Sequence, residues 1–398
     1  MKQQLSIAQR NSVLIEMAYL VYDRRKALLA ENEKDLAAYD GCELAMKDRL
    51  YLDDEKIDGM IESLQQLATL EDPLGIERFR FTHDNGIHIS NKTAPFGTVL
   101  IIYESRPDVT IEAAGIAFKS GNSILLKGGK EAMNSNLFLV NLWHQALKNN
   151  LIEPSWIAYL PLNREATRAF LQNPSQKVDL IVPRGGEKLI AFVKEHATCP
   201  VIVSGRGNNF VYVDSEADLQ MALDIIINAK TTKISACNAL DKVLIAADLP
   251  RKEFFMQQLV KELKKSNVEI LTEGAFLSMD DTMPIENEKM WFEEFLDYKI
   301  VIGQTDSLEE AIEKINTYGG GHSAAIITAS THKAETFMQG VDSAAVYHNA
   351  STRFTDGFQF GLGGELAIST DKLHQRGPIG LQHLVTNKWH IIGNGQIR

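Results

Sequence analysis

The chain has 398 residues, 44% of them apolar and 23% charged, the balance of a folded globular protein, and at roughly 100–200 residues per domain it is long enough for two or three cores. Its 41 Lys and Arg against 52 Asp and Glu leave a formal charge of −11, which argues against a nucleic-acid binder, because phosphate backbones are held by clustered cations. No apolar run approaches the roughly 18–20 residues of a membrane span, and the opening stretch 1–26 is too polar for a secretion signal.

Residues 1–75 read as helices. Val13, Ile15, Met17, Leu20 and Val21 mark one, the stretch 36–52 a second, and Met60, Ile61, Leu64 and Leu67 a third, with charges on the opposite faces. The EDPLG stretch at 71–75 breaks that pattern. A hairpin is expected over 78–94, with Asp84-Asn85-Gly86 as its turn. From Gly97 the period changes: strands at 98–103, 123–127, 156–160, 178–182 and 200–203 alternate with helices at 107–120, 131–149, 164–171 and 187–196. Near-continuous apolar strands in repeated β-α units imply a parallel sheet covered on both faces, a Rossmann-type layout. A second α/β block follows, with strands at 210–213, 242–246, 299–302 and 324–328 and helices at 216–230, 251–266 and 307–317. The strand 389–392 near the end has no obvious partner in its own block, so it and the hairpin are candidates for pairing with another subunit.

Five features carry candidate chemistry. Gly205-Arg206-Gly207 imitates a dinucleotide fingerprint but leads into a strand rather than a helix, so it is rejected. Gly128-Gly129 and Gly185-Gly186 do lie between a strand and a helix, where backbone can approach a phosphate and helix N–H groups can point at it; a plain tight turn explains them equally well. Lys127 ends a strand and Lys130 opens the next helix, where a cation is unfavourable unless it meets an anion. Of three cysteines, too few and too scattered for a disulfide framework or a zinc site, Cys42 and Cys199 read as structural. Cys237, among small polar neighbours at a helix–strand junction, suits a reachable nucleophilic thiolate. Asn349, Arg353 and Asp356 occupy a long Gly-rich polar loop, the kind of segment that carries binding residues.

Several segments together resemble the gamma-glutamyl phosphate reductase family of the aldehyde dehydrogenase superfamily. YESRPDVT at 103–110 resembles the family's YEARPNVT, LKGGKE at 126–131 its LRGGKE, and IVPRGG at 181–186 its LIPRGG. NAKT at 228–231 followed by SACN at 235–238 resembles the nucleophile region, and VYHNASTRFTDG at 346–357 and KLHQRGP at 372–378 complete a colinear set. The resemblance implies reduction of L-glutamyl 5-phosphate by NADPH to L-glutamate 5-semialdehyde and phosphate, in proline biosynthesis, with Cys237 as the thioester-forming nucleophile. Backbone N–H groups at Cys237 and Asn238 are the implied oxyanion donors, and Ser105 stands where hydrolysing relatives hold an Asn donor. Lys127, Gly128, Gly129, Lys130, Gly185, Gly186 and Glu294 are the implied cofactor residues, and Lys130, where NAD-preferring relatives carry Glu, suits a 2′-phosphate. Arg106, Asn349, Arg353 and Asp356 are the implied substrate residues. No metal is expected.

The fold class expected is α/β: a cofactor domain (1–77 and 98–206), a catalytic domain (207–375) and a small β oligomerisation module (78–97 and 376–398). A cytoplasmic homo-oligomer is expected, with a glutamate kinase as candidate partner. Two other readings stay open: an aldehyde dehydrogenase acting on another semialdehyde, and a binding module that has lost catalysis. SGRGNNF at 204–210 departs from a family stretch rich in Gly with Cys-His, Ile234 stands where Pro is usual, and the connection between 296 and 299 is short.

Overall fold

The computed structural model describes residues 4–41, 44–277 and 279–398; Cys42, placed above in a helical stretch, lies outside them. The chain forms two compact units, one of residues 1–203, 361–367 and 379–398, the other of 204–360 and 368–378.

The first unit begins with α1 (Ile7–Asp23), α2 (Arg25–Ala38), α3 (Leu44–Leu50) and α4 (Asp54–Thr69). Ser6 and Gln9 form a capping box on α1, and Asp53 caps α4 with Asp54 and Glu55 in its first turn, which satisfies exposed N–H groups and complements the helix dipole. The single helix expected over 36–52 is instead two, because α2 stops at Ala38 ahead of Asp40 and Gly41, both poor helix formers.

Next come β1 (Glu77–Thr82) and β2 (His88–Pro95), an antiparallel hairpin whose Gly86 takes φ +88 in the turn. Then β3 (Thr98–Tyr103), α5 (Val109–Lys119), β4 (Ser123–Lys127), α6 (Met133–Asn149), β5 (Ile157–Tyr159), α7 (Arg164–Gln172), β6 (Leu180–Arg184) and α8 (Glu187–His196) build a parallel sheet of order β5-β4-β3-β6. Alternate residues face opposite sides. Val99, Ile101, Ile124, Leu126 and Val182 pack under α1, α4, α5 and α6, while Leu100, Ile102, Leu125 and Ile181 pack with Phe170, Leu171 and Val193. The strand expected at 200–203 reduces to one bridge, Ile181 to Val201; Pro200 has no N–H for a ladder.

The second unit carries β7 (Asn209–Val213), α9 (Leu219–Thr231), β8 (Leu240–Ala246), α10 (Lys252–Lys265), β9 (Glu269–Thr272), β10 (Met283–Pro284), β11 (Lys299–Thr305), α11 (Leu308–Tyr318), β12 (Ser323–Ile327), α12 (Thr331–Gly340) and β13 (Ala345–His348). Its parallel sheet has the order β10-β9-β11-β8-β7-β12-β13. Sequence reading missed β9, β10, α12 and β13, whose apolar runs are short. Around β7 the core is aromatic, with Phe210 stacked on Trp291 and Tyr212 on Phe337.

Two short strands, β14 (Ala367–Ser369) and β15 (Gly377–Ile379), pair with each other, and β16 (Val385–Ile392) follows. The terminal strand does have a partner in its own chain: β16 lies antiparallel to β2, with Trp389 opposite Asn91 and Ile391 opposite Ile89. The partner lies outside the second α/β block, in the hairpin of 77–95, so the strand expected as a candidate for pairing with another subunit has one edge paired within its own chain. Among the described residues, no helix is long and apolar enough to cross a membrane.

Candidate active site

Cys237 lies half-buried in the turn between α9 and β8, and neither it nor Cys199 forms a disulfide. The turn is held from beneath. Asn209, fully buried at the start of β7, donates through Nδ2 to the carbonyls of Gly207, Cys237 and Ala239, at 2.8, 2.8 and 2.6 Å. Its Oδ1 accepts the Ser323 N–H at 3.0 Å. Gly207 passes so close that a Cβ there would fall far inside van der Waals contact with the Cys237 carbonyl. Glycine at 207 thus serves a backbone crossing, which agrees with rejecting the fingerprint at 205–207. Arg206 donates to the Phe292 carbonyl, and Asn208 to those of Trp291 and Tyr318, so the unusual 204–210 segment is a packing hub.

A distant turn is tied to the same place. Asn238 donates Nδ2 to the carbonyls of Arg353 (3.2 Å) and Thr355 (2.9 Å), and Thr352 Oγ1 donates back to the Asn238 carbonyl at 2.8 Å. Ser351 caps that short 3₁₀ turn and donates Oγ to Asn228 Oδ1. The Asn238 side chain is therefore a positioning group, while its backbone N–H is the part the oxyanion reading needs. Arg353 lies within electrostatic reach of Cys237; burial lowers its pKa, against the opposing pull of Cys237 and Asp356.

The other loop candidates are used locally. Asn349, at φ +55, accepts the Thr328 N–H and donates to the Thr328 carbonyl, at 3.0 and 2.9 Å. With both ends of its amide engaged it locks the end of β12 to β13. Asp356 Oδ1 accepts the N–H groups of Phe358 and Gln359, the habit of Asp in turns.

Glu294 is half-buried in the loop before β11, and adjacent residues of β8 hold that loop. Phe295 N–H donates to Asp241 Oδ2 at 3.0 Å, and Lys242 Nζ donates to the Glu293 carbonyl at 2.7 Å and sits 3.8 Å from the Phe295 ring centre. Asp241 also pairs with Lys230 of the NAKT motif at 3.0 Å. Burial pushes Lys242 down to about 7.

In the first unit the two glycine pairs differ. After Gly128-Gly129 the chain takes a 3₁₀ turn at Lys130–Ala132, and α6 starts only at Met133. The first N–H groups of α6 are already occupied: Asp35 of α2 accepts those of Asn134 and Ser135 and also their side chains. The expectation that this helix offers N–H groups to a phosphate is corrected, because a carboxylate of the protein fills that role. Gly186, by contrast, is the N-cap of α8 with no side-chain cap, and a Cβ there would meet nothing within 4 Å. The N–H groups of that first helical turn have no side-chain cap and could meet an anion. The Gly186 N–H donates to the Glu104 carboxylate at 3.2 Å to each oxygen.

Lys127 donates Nζ to the Gly128 carbonyl at 3.0 Å, and burial lowers its pKa against the pull of Glu131. Lys130 is exposed. Ser105 is buried, with Oγ donating to Glu131 Oε2 at 3.1 Å, and a Cβ on Gly129 would lie 2.6 Å from that same oxygen. Arg106 pairs with Asp108 at 2.6 Å. Burial works against the Asp108 charge, but Arg106 and Arg184 outweigh it and keep the carboxyl below its usual range. Burial and the nearby Asp108 push Glu112 up to about 7. Sequence reading missed Asn209, Asp35 and Glu104, which look like ordinary turn or surface polar residues until their distant partners are seen. Among the described residues there is no group of three or more His, Cys, Asp or Glu side chains that could hold a metal ion.

Residues 3–276 match the model of the aldehyde dehydrogenase family. A gamma-glutamyl phosphate reductase of Clostridium botulinum (strain Eklund 17B / Type B) is 43% identical over 394 residues, covering 98% of this chain and 94% of that protein. One from Enterococcus faecalis is 42% identical over 392 residues, with 98% and 94% covered. The crystal structure of the gamma-glutamyl phosphate reductase from Thermotoga maritima superposes with a TM-score of 0.93 at 38% identity, covering 99% of this chain and 95% of that one. A family match over more than half the chain, joined to relatives of this similarity over nearly its whole length, places the chain in the aldehyde dehydrogenase family, among the gamma-glutamyl phosphate reductases.

Proposed function

We propose that this oxidoreductase reduces L-glutamyl 5-phosphate to L-glutamate 5-semialdehyde and inorganic phosphate, in proline biosynthesis, by way of a thioester on Cys237 and with NADPH as reductant. The observation that carries the thioester route is the Cys237 turn, whose carbonyl is pinned by Asn209 and whose following residue is tied to the 351–355 turn. The Cys237 thiolate attacks the C5 carbonyl, the bond from C5 to the phosphate oxygen breaks, and its electron pair leaves with phosphate. Backbone N–H groups at Cys237 and Asn238 hold the oxyanion. Collapse of the thiohemiacetal after reduction returns the thiolate and releases the aldehyde. No Asp or Glu lies between Asp224 and Cys237, the stretch in which hydrolysing aldehyde dehydrogenases carry their water-activating Glu, and that difference favours reduction over hydrolysis.

Members of the family use nicotinamide cofactors, and NADPH, when bound, supplies the hydride. The uncapped N-terminus of α8 with Gly185 and Gly186 would hold its pyrophosphate, and Lys127, Gly128, Gly129 and Lys130 its adenosine ribose with the 2′-phosphate. Lys130 has the charge that a 2′-phosphate requires.

The test runs the reaction backwards, since the acyl phosphate is labile. With glutamate semialdehyde and NADP⁺, NADPH absorbance should rise only when inorganic phosphate is present. Phosphate-independent turnover would mark a hydrolysing dehydrogenase and reject this reading. The lability of the substrate favours a glutamate kinase as its immediate supplier, and a cytoplasmic setting is proposed with it.

The chain is also proposed to work as a homo-oligomer. Phe79, Phe81, Trp389 and Ile391 are about half exposed on one face of the β1-β2-β16 sheet, with Phe79 and Trp389 in edge contact at 5.7 Å. An exposed apolar face with two open edges calls for a protein partner. Light scattering after size exclusion should give at least twice the chain mass of 44.4 kDa, and Trp389→Glu should shift the protein towards monomer. A wild-type monomer at all concentrations refutes the proposal.

A further inference from the structure

The 351–355 turn places a guanidinium in an unusual position. Arg353 Nε and Nη1 are shut off from solvent and meet no hydrogen-bond acceptor. Buried donors without partners are costly and rare in native structures, more so on a charged group. The nearby acid does not answer them: the Asp356 carboxylate turns to the N–H groups of Phe358 and Gln359. Nor is the arginine placed by accident, because its own carbonyl accepts from Asn238, the residue after Cys237, and Thr352 beside it donates to the Asn238 carbonyl. A fork of planar donors within electrostatic reach of the Cys237 thiol is suited to an oxyanion that arrives with the substrate.

We propose that Arg353 forms the phosphate subsite, donating from Nε and Nη1 to the phosphoryl oxygens of the acyl phosphate and then to the departing inorganic phosphate. The proposal rests on the reduction proposed above and names the group that Arg353 holds. The alternative anion on the same substrate is the α-carboxylate, which lies at the far end of the glutamyl chain from the carbon that sulfur attacks. A guanidinium borne on a turn whose backbone is tied to Asn238 is therefore matched to the phosphate. Its charge offsets the negative charge that builds on the leaving oxygen as the bond from C5 breaks, and in the reverse direction it presents phosphate to the thioester.

Two measurements test this. In the first, Cys237 of the full chain is alkylated with iodoacetamide and mapped by mass spectrometry, with inorganic phosphate or acetate added at equal ionic strength. Phosphate should slow the reaction saturably and acetate should not; Arg353→Gln should lose the protection and Arg353→Lys should keep part of it. In the second, reverse turnover is followed in the same variants. Arg353→Gln should raise the KM for phosphate about 10- to 100-fold, the worth of charge-assisted hydrogen bonds, with the KM for semialdehyde changed by less than about threefold on the same scale. The proposal is overturned if phosphate fails to protect the wild type, if it protects Arg353→Gln equally, or if the semialdehyde KM rises in place of the phosphate KM. Protection by phosphate without phosphate-dependent turnover would leave the subsite standing and reject the reduction itself.

Discussion

Cys237→Ser should lower phosphate-dependent NADPH formation by at least about three orders of magnitude, since serine at neutral pH is not a nucleophile without an adjacent base. The fold should be unaffected, because the thiol is only half-buried and the turn is held by backbone carbonyls and by Asn209 and Asn238. Far-UV circular dichroism and the melting temperature should therefore match the wild type while turnover disappears. Thiol mapping gives a second readout. Burial and the nearby Asp179 push the Cys199 thiol up, so it carries little thiolate near neutral pH and should react after Cys237. Retained turnover in Cys237→Ser would remove the thioester from the mechanism.

Gly207→Ala should be nearly as damaging, by a different route. Its new methyl group would collide with the Cys237 carbonyl, and the obstacle is backbone, held by an Asn209 hydrogen bond to that carbonyl and another to the Ala239 carbonyl, with no flexible side-chain end to swing away. Overpacking of this kind costs about 1–3 kcal/mol. A nucleophile displaced by about 1 Å loses about a hundredfold in rate. The variant should show a lowered melting temperature together with kcat reduced by about that factor, and slower alkylation of Cys237. Gly186→Ala is the contrasting control for stability, since a Cβ there meets open space; it should fold normally and weaken NADPH binding. If Gly207→Ala proved as active as wild type, the crossing would not be what sets the nucleophile.

The parallel sheets were legible because each strand, buried on both faces, is a continuous apolar run, while the helices between repeat at a spacing of three and four. Cys237 stood out from Cys199 by its small polar neighbours at a helix–strand junction, a local property. The same reasoning failed where a role depends on what lies across the fold. Asp35 reads as one more acidic residue on α2, yet its carboxylate closes the start of α6, 99 and 100 residues away. Gly128-Gly129 and Gly185-Gly186 look alike in sequence, and only long-range partners separate them: Asp35 takes two N–H groups inside α6, whereas Glu104 meets only the Gly186 N–H ahead of α8.

The sequence by itself determined the α/β class, the order of most elements and the family, and it singled out Cys237 as the candidate nucleophile, all of which are written in periodicity and in contiguous motifs. The tertiary structure decided which polar residues are scaffold and which are left with donors to offer. Asn349 and Asp356 satisfy their side chains on nearby backbone, whereas Arg353 in the same loop has buried donors without acceptors. It also paired β16 with β2 within one chain. The physical reason is common to these cases: a polar side chain or an edge strand carries the same local signature whether its partner is water, ligand or protein, and the partner is chosen by residues far away in the sequence.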